Sequence, residues 1–96
     1  MKMSLAQIRK NIDTIDGEIL SLLHRRLQLA LQTRSFKTRV GDPAREREIL
    51  DNLRKKMSGY PLLRTDLVLG LFKEILKESR RVQRRSRHEK EQEVQP

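Results

Sequence analysis

Residues 4–37 read SLAQIRKNIDTIDGEILSLLHRRLQLALQTRSFK, and the spacing of their apolar side chains decides the fold. Leu5, Ile8, Ile12, Ile15, Ile19 and Leu22 recur at alternating intervals of three and four, a coiled-coil-type seam on one helix that continues towards Phe36. Ser4 stands where an N-cap would accept one of the free backbone N–H groups. At 1.5 Å per residue, a helix from Ser4 to Lys37 would run roughly 50 Å, more than a compact monomer of this length is wide. Its apolar face is therefore expected to pack against a second chain. Gly17 inside it costs about 1 kcal/mol relative to Ala, which the packed seam must outweigh.

Outward from this stretch, Gly41-Asp42-Pro43 and Ser58-Gly59-Tyr60-Pro61 mark two turns that divide the chain into three helical segments. The second helix opens with Asp42 as N-cap and Pro43 in its first position, and carries a stripe of Ile49, Leu50, Leu53 and Met57. The third, capped by Thr65 or Asp66, carries Val68, Leu71, Phe72, Ile75 and Leu76 and can persist into the Arg-rich stretch that follows. The ordered domain is expected over residues 1–88, with a charged, disordered tail over 89–96. No segment alternates as a strand would, so the fold class is all-α: a three-helix chain with a long first helix.

The composition agrees. Ninety-six residues allow one small domain, which excludes Rossmann and barrel enzymes. A domain of this size buries only about 60–65% of its unfolded surface, so a partner chain is an expected source of further burial. The absence of cysteine removes disulfides, thiol nucleophiles and Cys-based zinc sites, and suits a reducing compartment. The longest apolar stretch, around Leu67–Phe72, is far too short for a membrane span, and no signal-peptide core is visible near Met1. A cytoplasmic protein without membrane association is expected.

The chemistry lies where polar residues interrupt the stripes. Arg26 follows Leu22 by four residues, and Lys37 lies eleven further on, nearly on the same face. Glu46 precedes Ile49 and Leu50 on the second helix, and Ser79 and Gln83 share a face of the third. Burying such groups costs several kcal/mol unless each is paired or hydrogen-bonded. Two arrangements satisfy them: an Arg26–Glu46 ion pair with Ser79 and Gln83 emerging into solvent, or a polar pocket inside a helical bundle. The net charge of +9 suggests an anionic ligand for such a pocket. Arg supplies bidentate geometry for a carboxylate or phosphate, and Lys a compact charge for a single oxygen.

Ile8-Arg9, Ile12-Asp13-x-x-Asp16, Leu22-Leu23-x-x-Arg26, Lys37, Asp42-Pro43-x-Arg45-Glu46 and Ser79-x-x-x-Gln83 together resemble the all-helical chorismate mutase family, over about residues 5–84. The resemblance implies an intertwined homodimer whose two active sites each borrow an arginine, here Arg9, from the other chain. Geometry agrees, since Arg9 lies 17 residues before Arg26, about 25 Å along the helix and outside the reach of one small ligand. The competing reading of Arg9 is a solvated first-turn cation, which a helix N-terminus does not favour. The implied reaction converts chorismate to prephenate by a Claisen rearrangement, with no cofactor and no metal. Arg26 and the partner's Arg9 would bind the two carboxylates with help from Ser79, while Lys37 and Gln83 face the ether oxygen. Glu46 would accept a hydrogen bond from the ring hydroxyl, near Asp42 and Arg45.

One departure from the family is the short connection, Thr38–Gly41, between Lys37 and the second helix; it would tilt that helix or unwind the end of the first. Two other functions compete. An isochorismate pyruvate lyase would share the scaffold, although the Arg45-Glu46 and Ser79/Gln83 patterns favour the mutase. A nucleic-acid-binding module would use Arg80, Arg81, Arg84, Arg85, Arg87 and His88. Against the latter, aromatics are limited to Phe36, Tyr60 and Phe72, and cations at a helix C-terminus are also explained by the macrodipole and solubility. His24 has no second ligand at metal spacing.

Overall fold

The computed structural model describes the backbone of residues 2–36 and 40–94, with side chains as far as residue 84. The first α-helix, α1, spans Leu5–Gln32, α2 spans Pro43–Lys56, and α3 spans Thr65–Val94. No strand occurs among the described residues, as the all-α expectation requires. Local chemistry sets the helix starts. The Ser4 side chain accepts from the Gln7 backbone N–H, and the Gln7 side chain accepts from the Ser4 N–H, a reciprocal capping box at the head of α1. Asp42 caps α2 by accepting from the Arg45 N–H at 3.2 Å, with Pro43 in the first turn. For α3 the first helical bond runs from the Val68 N–H to the Arg64 carbonyl, so Arg64 holds the cap position in place of Thr65 or Asp66.

The far end of α1 departs from the expected continuous helix. After Gln32 the chain tightens into a 3-10 turn over Thr33–Phe36. There the Thr33 hydroxyl donates to the Ala30 carbonyl and the Ser35 hydroxyl to the Gln32 carbonyl. These local bonds satisfy carbonyls that another α-turn would have used, and favour the tighter winding. Lys37 lies outside the described residues. The chain resumes through Gly41 at φ +70, a left-handed conformation that glycine adopts without steric cost. At the other end α3 is helical to Val94, which takes in residues 89–94 of the charged tail, while residues 95–96 lie outside the described residues. The tail's Glu, Lys and Gln residues have good intrinsic helix propensity.

α3 is the shared element, packing on α1 along one side and on α2 along another. Only Val68, Leu76 and Ser79, all on α3, are buried among the described side chains. The single chain measures 64 × 31 × 17 Å, with a radius of gyration of 17.8 Å, where a compact chain of this length would have about 12–13 Å. The seam of α1 is uncovered: Leu5, Ile8, Ile12, Ile15, Ile19 and Leu22 are 40–61% exposed. No described helix is long and apolar enough to cross a membrane.

Candidate active site

The C-terminal part of α1, the first turns of α2 and the middle of α3 line an open cavity of about 550 Å³. α3 presents Leu76, Ser79, Arg80 and Gln83 to it. Ser79 and Arg80 follow Leu76 by three and four residues, and Gln83 follows Ser79 by four, so the stripe that buries Leu76 turns polar one helical turn later without changing direction. Opposite stand Arg26, Ala30 and Thr33 of α1, and Asp42, Arg45 and Glu46 at the head of α2. Of the residues that sequence analysis singled out, Arg26, Asp42, Arg45, Glu46, Ser79 and Gln83 thus come together around one cavity. Arg9 does not line it and is exposed on α1.

Arg26 is the most distinctive group. Its Nη1 donates to the Ser79 hydroxyl at 3.1 Å, and that hydroxyl donates in turn to the Ile75 carbonyl at 3.0 Å. Ser79 is only 8% exposed, so this short relay fixes one edge of the guanidinium. Among the described residues no carboxylate pairs with Arg26. Burial pushes the Arg26 pKa below the ordinary arginine value, and the positive charge of Arg45 adds to the effect. A guanidinium stays charged at neutral pH. Arg26 is therefore a partly desolvated cation with no carboxylate partner among the described residues.

The carboxylate available to it goes elsewhere. Glu46 accepts from Arg80 Nη1 through both oxygens, at 2.6 and 2.7 Å, in a pair about three-quarters buried. The Arg26–Glu46 ion pair that sequence analysis weighed does not form, and the polar-pocket arrangement is the one adopted. In the sequence Arg80 heads a run of arginines that reads as a solvated helix end or a nucleic-acid-binding stretch, not as part of this site. Its signal was position: four residues after Leu76 and three before Gln83, it falls on the buried stripe.

Two other site residues are partly committed within the chain. Arg45 pairs with Glu48 on the exposed surface of α2, and its backbone, like the Asp42 carboxylate, serves the helix cap. Gln83 donates through Nε2 to the Ala30 carbonyl at 2.9 Å and to the Thr33 hydroxyl at 3.1 Å. Its amide thereby ties α3 to the 3-10 turn, with both N–H donors engaged.

Comparison with known proteins adds to this geometry. The family described as chorismate mutase type II matches residues 8–84, a span that includes every cavity-lining residue. A protein named chorismate mutase from Methanocaldococcus jannaschii is 46% identical over 55 residues, covering 53% of this chain and 56% of that one. The match therefore spans little more than half of that relative. No solved structure matches.

Proposed function

This chain belongs to the chorismate mutase type II family, and from that premise we propose that it converts chorismate to prephenate. The observation that carries the proposal is Arg26, a partly desolvated guanidinium without a carboxylate partner among the described residues, at the wall of a cavity between three helices. Such a cation binds an anion more strongly than an exposed one does, because less water competes for it. A dicarboxylate needs a second cation. Among the cavity-lining arginines, Arg80 is taken by Glu46 and Arg45 by Glu48, so the second must come from outside this set.

The proposal supplies it with a homodimer. The exposed seam of α1 and the shallow, 17 Å-thick chain both call for a covering chain. An antiparallel second copy along α1 would bring Arg9 of the partner subunit towards Arg26, which Arg9 of the same chain is too far along the helix to approach. Arg26 and the partner's Arg9 then hold the two carboxylates, and Lys37 with Gln83 stabilises the ether oxygen. For Gln83 to face that oxygen, one of its N–H donors must exchange its partner on α1 for substrate. Glu46 receives the ring hydroxyl. The absence of cysteine fits a protein working in the cytoplasm.

The rearrangement breaks one C–O bond as one C–C bond forms, and nothing passes to or from the protein. Catalysis comes from holding the compact reactive conformer and from donors aimed at the oxygen on which charge develops. A million-fold acceleration asks about 8 kcal/mol of these two effects together.

The test mixes purified protein with chorismate and follows loss of diene absorbance, with prephenate identified as product. The shared site is tested by mixing subunits. Arg9→Ala and Arg26→Ala homodimers are each expected to be inactive. Heterodimers formed by refolding them together carry one intact site and one doubly altered site, so statistical mixing restores about a quarter of wild-type activity. No recovery would remove the partner's Arg9 from the site. Formation of salicylate and pyruvate from isochorismate, with chorismate untouched, would replace the mutase with a lyase.

A further inference from the structure

We propose that Arg80 is a positioning residue of the site: it holds the Glu46 carboxylate against the cavity wall and cancels its charge there, so that a dianionic substrate can enter. This rests on the mutase reading. Three observations lead to it. Arg80 Nη1 meets both Glu46 oxygens, at 2.6 and 2.7 Å, across the gap between α3 and α2. The pair stands between two clefts: both residues line the cavity that holds Arg26 and also an outer groove bordered by Pro43, Leu50 and Lys73. The Arg80 stem also lies over Gly41, where a side-chain Cβ would come 3.0 Å from Cδ. The left-handed glycine before α2 thus leaves the space through which Arg80 reaches Glu46.

A bare carboxylate on the wall would repel both carboxylates of a dianion, in the ground state and the transition state alike. An ion pair at that place removes the repulsion and leaves Glu46 able to accept, because each carboxylate oxygen carries two lone pairs and Arg80 uses one on each. Arg80 therefore acts on substrate through Glu46 without touching it. A loss that is equal in ground and transition state appears in KM and leaves kcat largely unchanged.

The experiment compares Arg80→Leu, Arg80→Lys, Glu46→Gln and Arg80→Leu/Glu46→Gln in the full-length protein. Arg80→Leu is expected to raise KM about tenfold with kcat within about threefold of wild type. The defect should shrink as salt is added, since screening substitutes for the missing cation. Arg80→Lys should recover most of the loss. Once Glu46→Gln has removed the negative charge, adding Arg80→Leu should change KM by less than about twofold. An unchanged KM in Arg80→Leu, a defect insensitive to salt, or additive effects in the double variant would overturn the assignment. Urea unfolding of the wild type, Arg80→Leu, Glu46→Gln and the double variant keeps the two readings apart. Wild-type protein inert towards chorismate overturns the mutase reading, whereas stability changes that simply add across the four overturn the Arg80–Glu46 coupling.

Discussion

The two halves of α1 share one continuous helix and present opposite problems. From Leu5 to Leu22 the inward stripe is aliphatic, and every member of it is at least 40% exposed. From Arg26 to Thr33 the stripe is polar or small, yet its own chain covers it: Arg26 bonds to Ser79, and Ala30 and Thr33 accept from Gln83. The half with the greater hydrophobic driving force is the uncovered one. Among the described residues, the side-chain hydrogen bonds between α3 and the stretch from Leu5 to Thr33 all fall at its C-terminal end, on Arg26, Ala30 and Thr33. On the proposed reading, a second chain would cover the aliphatic half, and the polar half would form the wall of the site.

The contrast is most severely tested at the aliphatic end. Ile12→Asp combined with Ile19→Asp places two carboxylates in the seam, and the protein is expected to lose the proposed dimer, its cooperative unfolding transition and all measurable turnover. Analytical ultracentrifugation and circular dichroism would show it, and a folded, active double variant would mean that the seam is not an interface. At the polar end, the largest effect should come from Arg26→Met. Turnover falls by about a thousandfold, on the scale of losing a charged donor from a preorganised site.

Stability should move the other way in Arg26→Met. The lowered pKa of Arg26 means that the folded chain disfavours its charged form, a penalty present wherever Arg26 is protonated and relieved only as pH rises through that lowered value. Methionine has similar volume and carries no such penalty, so the thermal midpoint should be unchanged or higher. A clear fall in the midpoint would make Arg26 a structural residue. The smallest effect concerns the outer surface of the N-terminal half. Gly17 sits on the face away from the seam, and a Cβ there meets nothing within 4 Å. Gly17→Ala should stabilise the fold by about 0.5–1 kcal/mol through helix propensity, with kcat/KM unchanged.

Much of this was legible before any coordinates. The helix starts at Ser4 and Asp42 follow from side chains that compete for backbone N–H groups over three residues, a purely local matter. The polar interruptions at Arg26, Glu46, Ser79 and Gln83 were visible because helical periodicity assigns each residue a face. What escaped was pairing across helices. Arg26 and Glu46 looked like partners by charge, and Arg80 looked like solvent-facing surface, because sequence spacing places residues on a face without saying which faces meet. The change to a tighter 3-10 turn after Gln32 depends on Thr33 and Ser35 bonding to nearby carbonyls, a competition that periodicity does not register.

By itself, then, the sequence determined that this chain is helical, where α1 and α2 begin, which stripes are apolar and which residues break them, since each depends on interactions within one or two turns. Only the tertiary structure decided that Glu46 belongs to Arg80, that Arg26 is left as a cation with a hydroxyl for company, and that Gln83 braces the end of α1. Those outcomes depend on distances between residues 34 and 53 positions apart, which are set by how three helices pack rather than by any one of them.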